Sequence, residues 1–225
     1  MTLGTPGQTL LFNFDTGSDY LWAPNVVCTG CQINNIIPGY STTTDTAETS
    51  LGFADGISYM DGSSFNGTVY ETVVSSGTVS ATGVNFLLVS QWYDSAGSTD
   101  YHGLCGLSAS ILSDYSELLV TKWAEQGAIP KDMFSINYKS DADAQDTYIY
   151  FGGYETSIVT SESDITWFKL TGSGFWEIEA THVFYGDSKS SLGRLDKAII
   201  DTGSSISYIP LTVLDSIASA TKLSC

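Results

Sequence analysis

The tetrapeptide Asp15-Thr16-Gly17-Ser18 recurs near the other end of the chain as Asp201-Thr202-Gly203-Ser204. Both copies follow a mostly apolar run, and a large aromatic residue stands seven positions after each aspartate: Trp22 and Tyr208. Two such matched segments predict two equivalent halves of one molecule, each supplying one aspartate to a shared site.

Two carboxyl groups brought side by side can activate a water molecule. Like charges at hydrogen-bond distance cannot both ionise cheaply, so the pair of Asp15 and Asp201 would hold one proton between its members. The ionised member then acts as general base toward the water, while the protonated member hydrogen-bonds the carbonyl under attack. This pairing predicts hydrolysis of an amide bond without a cofactor or metal ion.

The residues after each aspartate can support such a pair. Glycine lets the backbone bend and offer its N–H, serine can donate its hydroxyl to an outer carboxylate oxygen, and threonine can bridge the two halves. Because these donors bond the charged form, we expect them to favour an ionised pair at low pH. The predicted supports are Thr16, Gly17, Ser18, Thr202, Gly203 and Ser204.

The composition indicates an ordered, all-β protein that works without nucleic acid. Apolar residues make up 42% of the 225 positions and charged residues only 15%, which is unlike a disordered chain. Eight basic residues and a net charge of −17 argue against a nucleic-acid footprint and against an anionic membrane surface. The acidity fits a protein that works in acid, where its self-repulsion falls.

The chain has four cysteines. Cys28 and Cys31 predict a small loop disulfide, because a zinc site would need further ligands at a suitable spacing and a redox motif would need a βαβ context. Cys105 lies in an apolar stretch and is expected to be a buried thiol. Asn66 begins a glycosylation sequon, which is usable only in a secreted protein. No signal peptide or transmembrane run is found in the sequence.

The coarse pattern is a series of strands with two helices. Ile57 to Tyr70 predicts a β-hairpin whose tip is Asp61-Gly62. A helix is predicted over 113–126, with Ser113 as its N-cap and Gly127 at its C-terminal end, and a second helix over 211–219. Further strands are predicted over 8–14, 69–75, 84–90, 133–138, 147–151, 165–170 and 175–184.

In the order of its motifs the sequence resembles the pepsin-like aspartic endopeptidases, especially the fungal secreted branch. The resemblance is carried by the two Asp-Thr-Gly-Ser copies, the hairpin opened by Tyr59, and three further stretches: Gly103-Leu104-Cys105-Gly106-Leu107, Phe151-Gly152-Gly153 and Phe175-Trp176-Glu177-Ile178. It implies a bilobal all-β fold with a cleft between the lobes. The expected lobes are 1–157 and an incomplete 158–225, so the chain would be a fragment lacking both ends and, taken alone, insoluble or inactive.

The resemblance also implies roles for single residues. Asp15 and Asp201 would be the catalytic dyad, Tyr59 would bond Trp22 and close over the substrate, and Asp61 and Gly62 would bond the substrate backbone. The aromatic residue beside the substrate would be Tyr101. The implied enzyme is a monomeric endopeptidase, made as a zymogen, that cleaves extended peptides at acidic pH. Its expected location is extracellular, with the vacuole as the alternative.

Two other functions stay open. One is a catalytically inactive peptide-binding protein of the same fold, although both aspartates, both serines and Tyr59 are present. The other is an unrelated β-rich module with aspartates as metal ligands, which would need clustered acids beyond Asp19. The sequence departs from the resembled pattern at Met60, where glycine is usual, and at His102, where an acidic residue is common and where we expect a tolerated substitution without a catalytic role.

Overall fold

The computed structural model describes residues 1–31, 39–93, 102–139, 147–172, 174–184 and 196–221. Strands dominate, as the sequence predicts, and two α-helices are found within these ranges. The strands are β1 Thr2–Leu3, β2 Gln8–Thr9, β3 Phe12–Asp15, β4 Leu21–Thr29, β5 Thr49–Ser58, β6 Ser64–Ser76, β7 Val79–Tyr93, β8 Gly103–Gly106, β9 Phe134–Asn137, β10 Tyr148–Phe151, β11 Glu177–Glu179 and β12 Lys197–Ile199. The helices are α1 Leu119–Glu125 and α2 Leu211–Thr221.

The first eight strands form one sheet. Its order is β2-β1-β6-β7-β4-β8-β3, and β5 pairs with β6 outside this path. The last strand, β3, runs parallel to β8, so that Asp15 lies beside Gly106. On its other side β8 pairs antiparallel with β4, where Trp22 lies opposite Leu104. Strand β8 therefore lies between β3 and β4, the two strands that precede and follow the first motif along the chain.

Two clusters of buried side chains hold this part of the chain together. One cluster lies under α1 and contains Trp123, which is fully buried and donates its indole N–H to the carbonyl of Val74 at 3.3 Å. The other contains Trp22, Phe65 and Trp92. In it the rings of Trp22 and Phe65 lie 4.3 Å apart. Buried aromatic rings are among the largest single contributions to a core.

The predicted helix over 113–126 begins too early. Helix α1 begins at Leu119, and its N-cap, Leu118, provides no side-chain cap. The hydroxyls of Ser113 and Ser116 instead donate to the carboxylate of Asp19. A buried carboxylate therefore takes the hydroxyl of Ser113 that the sequence pattern assigns to capping. At the other end Gly127 has a φ of +72°, the left-handed conformation that commonly follows a helix.

The hairpin and the strands of the first part agree with prediction, although 8–14 is divided into β2 and β3. The second part has less sheet than expected. Among the described residues after 133, the paired strands are β9 with β10 and β11 with β12, and the predicted strand over 165–170 is absent apart from one bridge between Leu170 and Ile178. Large apolar side chains are exposed along this part, among them Trp167, Phe168 and Tyr208. None of the helices described is long and apolar enough to span a membrane.

Candidate active site

Both aspartates follow strands. Asp15 ends β3 and is 4% exposed, while Asp201 comes two residues after β12 and is partly buried. In the first copy the backbone N–H of Gly17 donates to Asp15 Oδ1 at 2.8 Å, and the hydroxyl of Ser18 donates to Asp15 Oδ2 at 2.7 Å. Each oxygen of this carboxylate therefore has a donor from its own tetrapeptide.

The second copy repeats this arrangement. The N–H of Gly203 donates to Asp201 Oδ1 at 2.8 Å, and the hydroxyl of Ser204 donates to Asp201 Oδ2 at 2.8 Å. The same oxygen of each aspartate meets the same kind of donor in both copies. Identical local sequence thus gives identical local geometry, despite the different surroundings of the two carboxylates.

Threonines join the two copies. The hydroxyl of Thr16 accepts from the N–H of Thr202 at 3.0 Å and donates to the carbonyl of Ile200 at 2.7 Å. The hydroxyl of Thr202 accepts from the N–H of Thr16 at 3.1 Å and donates to the carbonyl of Phe14 at 2.6 Å. These four bonds are symmetric between the copies and hold both aspartates at one place.

Each aspartate packs against the glycine of the opposite copy. A Cβ built on Gly17 would lie 2.6 Å from the carboxyl carbon of Asp201, and a Cβ on Gly203 would overlap the carboxylate of Asp15. Only glycine leaves room for both carboxylates. Glycine is therefore needed at positions 17 and 203 for a steric reason, in addition to the backbone freedom that the sequence suggests.

Burial raises the pKa of Asp15 to about 6. The hydrogen bonds from Ser18 and Gly17 act against this rise, whereas the neighbouring Asp201 adds to it. The donors thus act in the expected direction, toward the ionised form, but the loss of hydration outweighs them and leaves the pKa of Asp15 raised. A carboxyl group with such a pKa can keep a proton through most of the acidic range.

The predicted hairpin is anchored by Trp22. Its indole N–H donates to the hydroxyl of Tyr59 at 3.0 Å, and the ring of Tyr59 packs edge-on against Phe65 at 5.6 Å. Since Trp22 lies in β4, the strand that follows the motif along the chain, this bond connects the hairpin to the strands around the site. We call the hairpin of β5 and β6 the flap.

The flap tip is a tight turn held by hydrogen bonds among its own residues. The N–H of Gly62 donates to the carbonyl of Tyr59 at 3.1 Å, and Asp61 Oδ1 accepts from the N–H of Ser63 at 2.8 Å and from its hydroxyl at 2.7 Å. Met60 points into solvent with 87% of its surface exposed. Gly62 has a φ of +88°, a left-handed conformation that favours glycine. The turn therefore has its glycine at position 62, and Met60 can stand at position 60.

The other predicted residues have diverse positions. Cys28 and Cys31 form the predicted disulfide, and Asn66 is exposed on β6. Tyr101 lies outside the described residues. The glycosylation of Asn66 stays a prediction.

His102 and Cys105 have structural surroundings. His102 is 5% exposed, and its Nδ1 accepts the N–H of Leu11 at 3.0 Å, while burial lowers its pKa. Cys105 is fully buried, and burial raises its pKa to about 12, which keeps the thiol protonated. Neither side chain contacts the pair of aspartates by a described hydrogen bond.

Sequence reasoning missed the structural part played by Asp19. This residue is only 2% exposed, although it directly follows the first motif. Its Oδ2 accepts from the N–H groups of Leu112 and Ser113 and from the hydroxyls of Ser113 and Ser116. Two serines 94 and 97 positions away are the only sequence signal for it. Among the described residues, no group of three His, Cys, Asp or Glu side chains could hold a metal ion.

Comparison with known proteins agrees with this geometry. The family model described as eukaryotic aspartyl protease matches residues 1–224. Pepsin-3 of Oryctolagus cuniculus is 30% identical over 96% of the chain and 55% of its own length. Endothiapepsin of Cryphonectria parasitica is 31% identical over 94% of the chain and 50% of its own length. Rhizopuspepsin-2 of Rhizopus niveus is 29% identical over 97% and 55%. The chain spans about half the length of the curated relatives it matches.

Proposed function

The chain belongs to the eukaryotic aspartyl protease family, and on this premise we propose that it carries both catalytic aspartates of an acid endopeptidase. The observation that supports the proposal most is the symmetric bonding of the two copies through Thr16 and Thr202. It holds Asp15 and Asp201 together, each with its own glycine and serine donors. Two aspartates held in this way serve one site.

The proposed reaction is hydrolysis by an activated water molecule. One carboxylate of the pair takes a proton from the water, whose oxygen attacks the carbonyl carbon of the peptide bond. The other carboxyl group donates a hydrogen bond to the carbonyl oxygen, where negative charge develops. Transfer of a proton from the aspartate pair to the nitrogen of that bond then releases the two products. The raised pKa of Asp15 suits it to hold the shared proton below about pH 6.

The proposed substrates are proteins and peptides in an extended conformation. The flap would close over them, with Asp61 and Gly62 bonding the substrate backbone and Tyr59 held in place by Trp22. Tyr101 would flank the residue before the cleaved bond. We also propose the two lobes 1–157 and 158–225, a monomeric enzyme made as a zymogen, and secretion, with the vacuole as the alternative; the exposed sequon at Asn66 is compatible with secretion.

Cleavage of a denatured protein at about pH 3 to 5 tests the proposal. The natural, full-length protein that contains this chain should be used, with Asp15→Asn and Asp201→Asn as variants. Each is expected to abolish cleavage, whereas Asp164→Asn, at an exposed carboxylate, should keep it. Cleavage that survives in either active-site variant would overturn the proposal. Peptide binding by the wild type without any cleavage would favour the inactive peptide-binding protein.

A further inference from the structure

The two residues that follow the first motif contact two different segments of the protein. Asp19 accepts the hydrogen bonds of the 112–116 segment, and Tyr20 contacts β5, the outer strand of the flap. The backbone of the same stretch is fixed to β8, because the carbonyl of Tyr20 accepts from the N–H of Gly106 at 2.7 Å. One short stretch of chain therefore connects the catalytic motif, the 112–116 segment and the flap.

Asp19 gives the 112–116 segment its shape. The bonds to its Oδ2 from the N–H of Leu112 at 2.6 Å and of Ser113 at 2.9 Å fix the backbone, and the serine hydroxyls complete the coordination. Next along the segment, the carbonyl of Tyr115 accepts from Asn85 Nδ2 at 3.4 Å. A segment without helix or strand is thus held from two sides, and Tyr115 has a defined position.

The outer flap strand reaches toward that tyrosine through a bulge. Pairing of β5 with β6 is regular from Ala54 onward, but its register shifts between Ser50 and Ala54, where Gly52 has a φ of +73°. A bulge of this kind redirects a side chain. Here the side chain of Phe53 stacks on the ring of Tyr115, with 4.9 Å between ring centroids and 15° between ring planes.

A second contact lies two residues further along the strand. The hydroxyl of Tyr20 donates to Asp55 Oδ2 at 2.7 Å, and the tyrosine is only 8% exposed. Burial raises the pKa of Tyr20 to about 12, so this hydroxyl stays a donor at any acidic or neutral pH. Among the described strands, β5 pairs only with β6, and these two contacts connect it in addition to the stretch after the motif and to the 112–116 segment.

We propose that Phe53–Tyr115 and Tyr20–Asp55 form a flap latch, which fixes the outer strand of the flap to the motif-bearing frame. Asp19 is its positioning residue, because it holds the segment that presents Tyr115. The proposal rests on the proposed endopeptidase function and deepens it. With the outer strand fixed, bending is confined to the tip at residues 59–63, so the flap is already ordered when an extended peptide binds. The latch residues support the flap and do not touch the reacting atoms.

Paired variants in the full-length protein test the latch. Phe53→Ala and Tyr115→Ala remove the stack, while Phe53→Tyr and Tyr115→Phe keep it. We expect both alanine variants to raise KM for a peptide substrate about two- to tenfold at unchanged kcat, the range that corresponds to one aromatic pair. The double alanine variant should be no worse than either single one. The conservative variants should behave as wild type.

Hydrogen exchange of residues 49–58 gives a second readout that does not depend on cleavage. Exchange should be faster in the alanine variants and in Tyr20→Phe. Tyr20→Phe deletes only one oxygen, so it tests the latch even if an alanine variant fails to fold. Asp55→Asn keeps an acceptor and should exchange as wild type. Unchanged exchange in Phe53→Ala and Tyr20→Phe would overturn the latch, and quickened exchange at unchanged KM would overturn its role toward substrate. A wild type that cleaves nothing would refute the proposed function alone, because exchange still decides the latch.

Discussion

The backbone N–H of Thr202 donates to the hydroxyl of Thr16 at 3.0 Å, and the N–H of Thr16 donates to the hydroxyl of Thr202 at 3.1 Å. Both hydroxyls donate onward to a carbonyl just before the opposite motif copy, at Ile200 and Phe14. Two stretches far apart in sequence are therefore joined by their own motif residues. The twofold character of the site follows from these bonds.

Removal of one threonine hydroxyl is expected to loosen the pair. Thr16→Val keeps the shape of a side chain that is 4% exposed, but it leaves the N–H of Thr202 and the carbonyl of Ile200 without their partners. The free energy of unfolding should fall by about 1–3 kcal/mol in urea titrations. Thr16→Ser keeps the hydroxyl and is the matched control. Equal stability of the two variants would contradict the proposed bonding.

A methyl group on either motif glycine should displace a catalytic carboxylate. Gly203→Ala would place its Cβ on Asp15, where the overlap falls on the carboxylate itself. A shift of about 1 Å in a reacting group can cost a hundredfold in rate, so we expect kcat/KM to fall about 100-fold or more. Gly153→Ala is the control, since its Cβ would meet only the edge of Tyr150 at 3.3 Å. A fully active Gly203→Ala enzyme would refute the geometry.

The stability of the folded protein should report the raised pKa of Asp15. Its folded value of about 6 lies above the ordinary 3.8, so the folded state binds the proton more tightly than the unfolded chain. The stability from this group is fully present below about pH 4 and is lost as the pH rises through 6, a change of about 3 kcal/mol. Urea unfolding of wild type and Asp15→Asn at about pH 4 and 7 measures it. Relative to the wild type, the free energy of unfolding of the variant should be higher at about pH 7 than at about pH 4. The same difference between the two proteins at both pH values would contradict the raised pKa.

Asp45 should show the opposite dependence. It is 7% exposed, and burial alone would raise its pKa, but hydrogen bonds from Thr72, from Tyr40 and from two backbone N–H groups outweigh burial and lower it. Its contribution is therefore present above the ordinary pKa of about 4 and is lost as the pH falls through the lowered value. Asp45→Ala should cost about 2–4 kcal/mol at pH near 7, and less in acid. Asp164→Ala, at the surface, should cost about 0.5 kcal/mol or less.

The features that the sequence predicts well are local ones. Each Asp-Thr-Gly-Ser copy carries its own donors, so the cradle of each aspartate forms wherever the motif is placed. The flap follows from strand residues around Asp61 and Gly62, and the disulfide from the short spacing of Cys28 and Cys31. In these cases the partners are neighbours along the chain, or the pattern itself is repeated.

The errors lie where distant residues compete for the same groups. Ser113 is a plausible N-cap by its local pattern, yet its hydroxyl donates to Asp19, which lies 94 positions away in the sequence. The apolar run over 165–170 is rich in strand-forming residues, but it forms only one isolated β-bridge, at Leu170. The latch stack of Phe53 and Tyr115 depends on a bulge that no local pattern announces.

The pH dependence of kcat/KM tests most directly whether Asp15 and Asp201 act as one pair with one proton. It should be measured from about pH 2 to 8 for the full-length wild type, Asp15→Asn and Asp201→Asn. We predict a bell-shaped profile for the wild type whose upper limb falls near pH 6, where Asp15 loses its proton, and no measurable cleavage by either variant. A profile with a single limb, or cleavage that survives in either variant, would contradict the shared-proton pair.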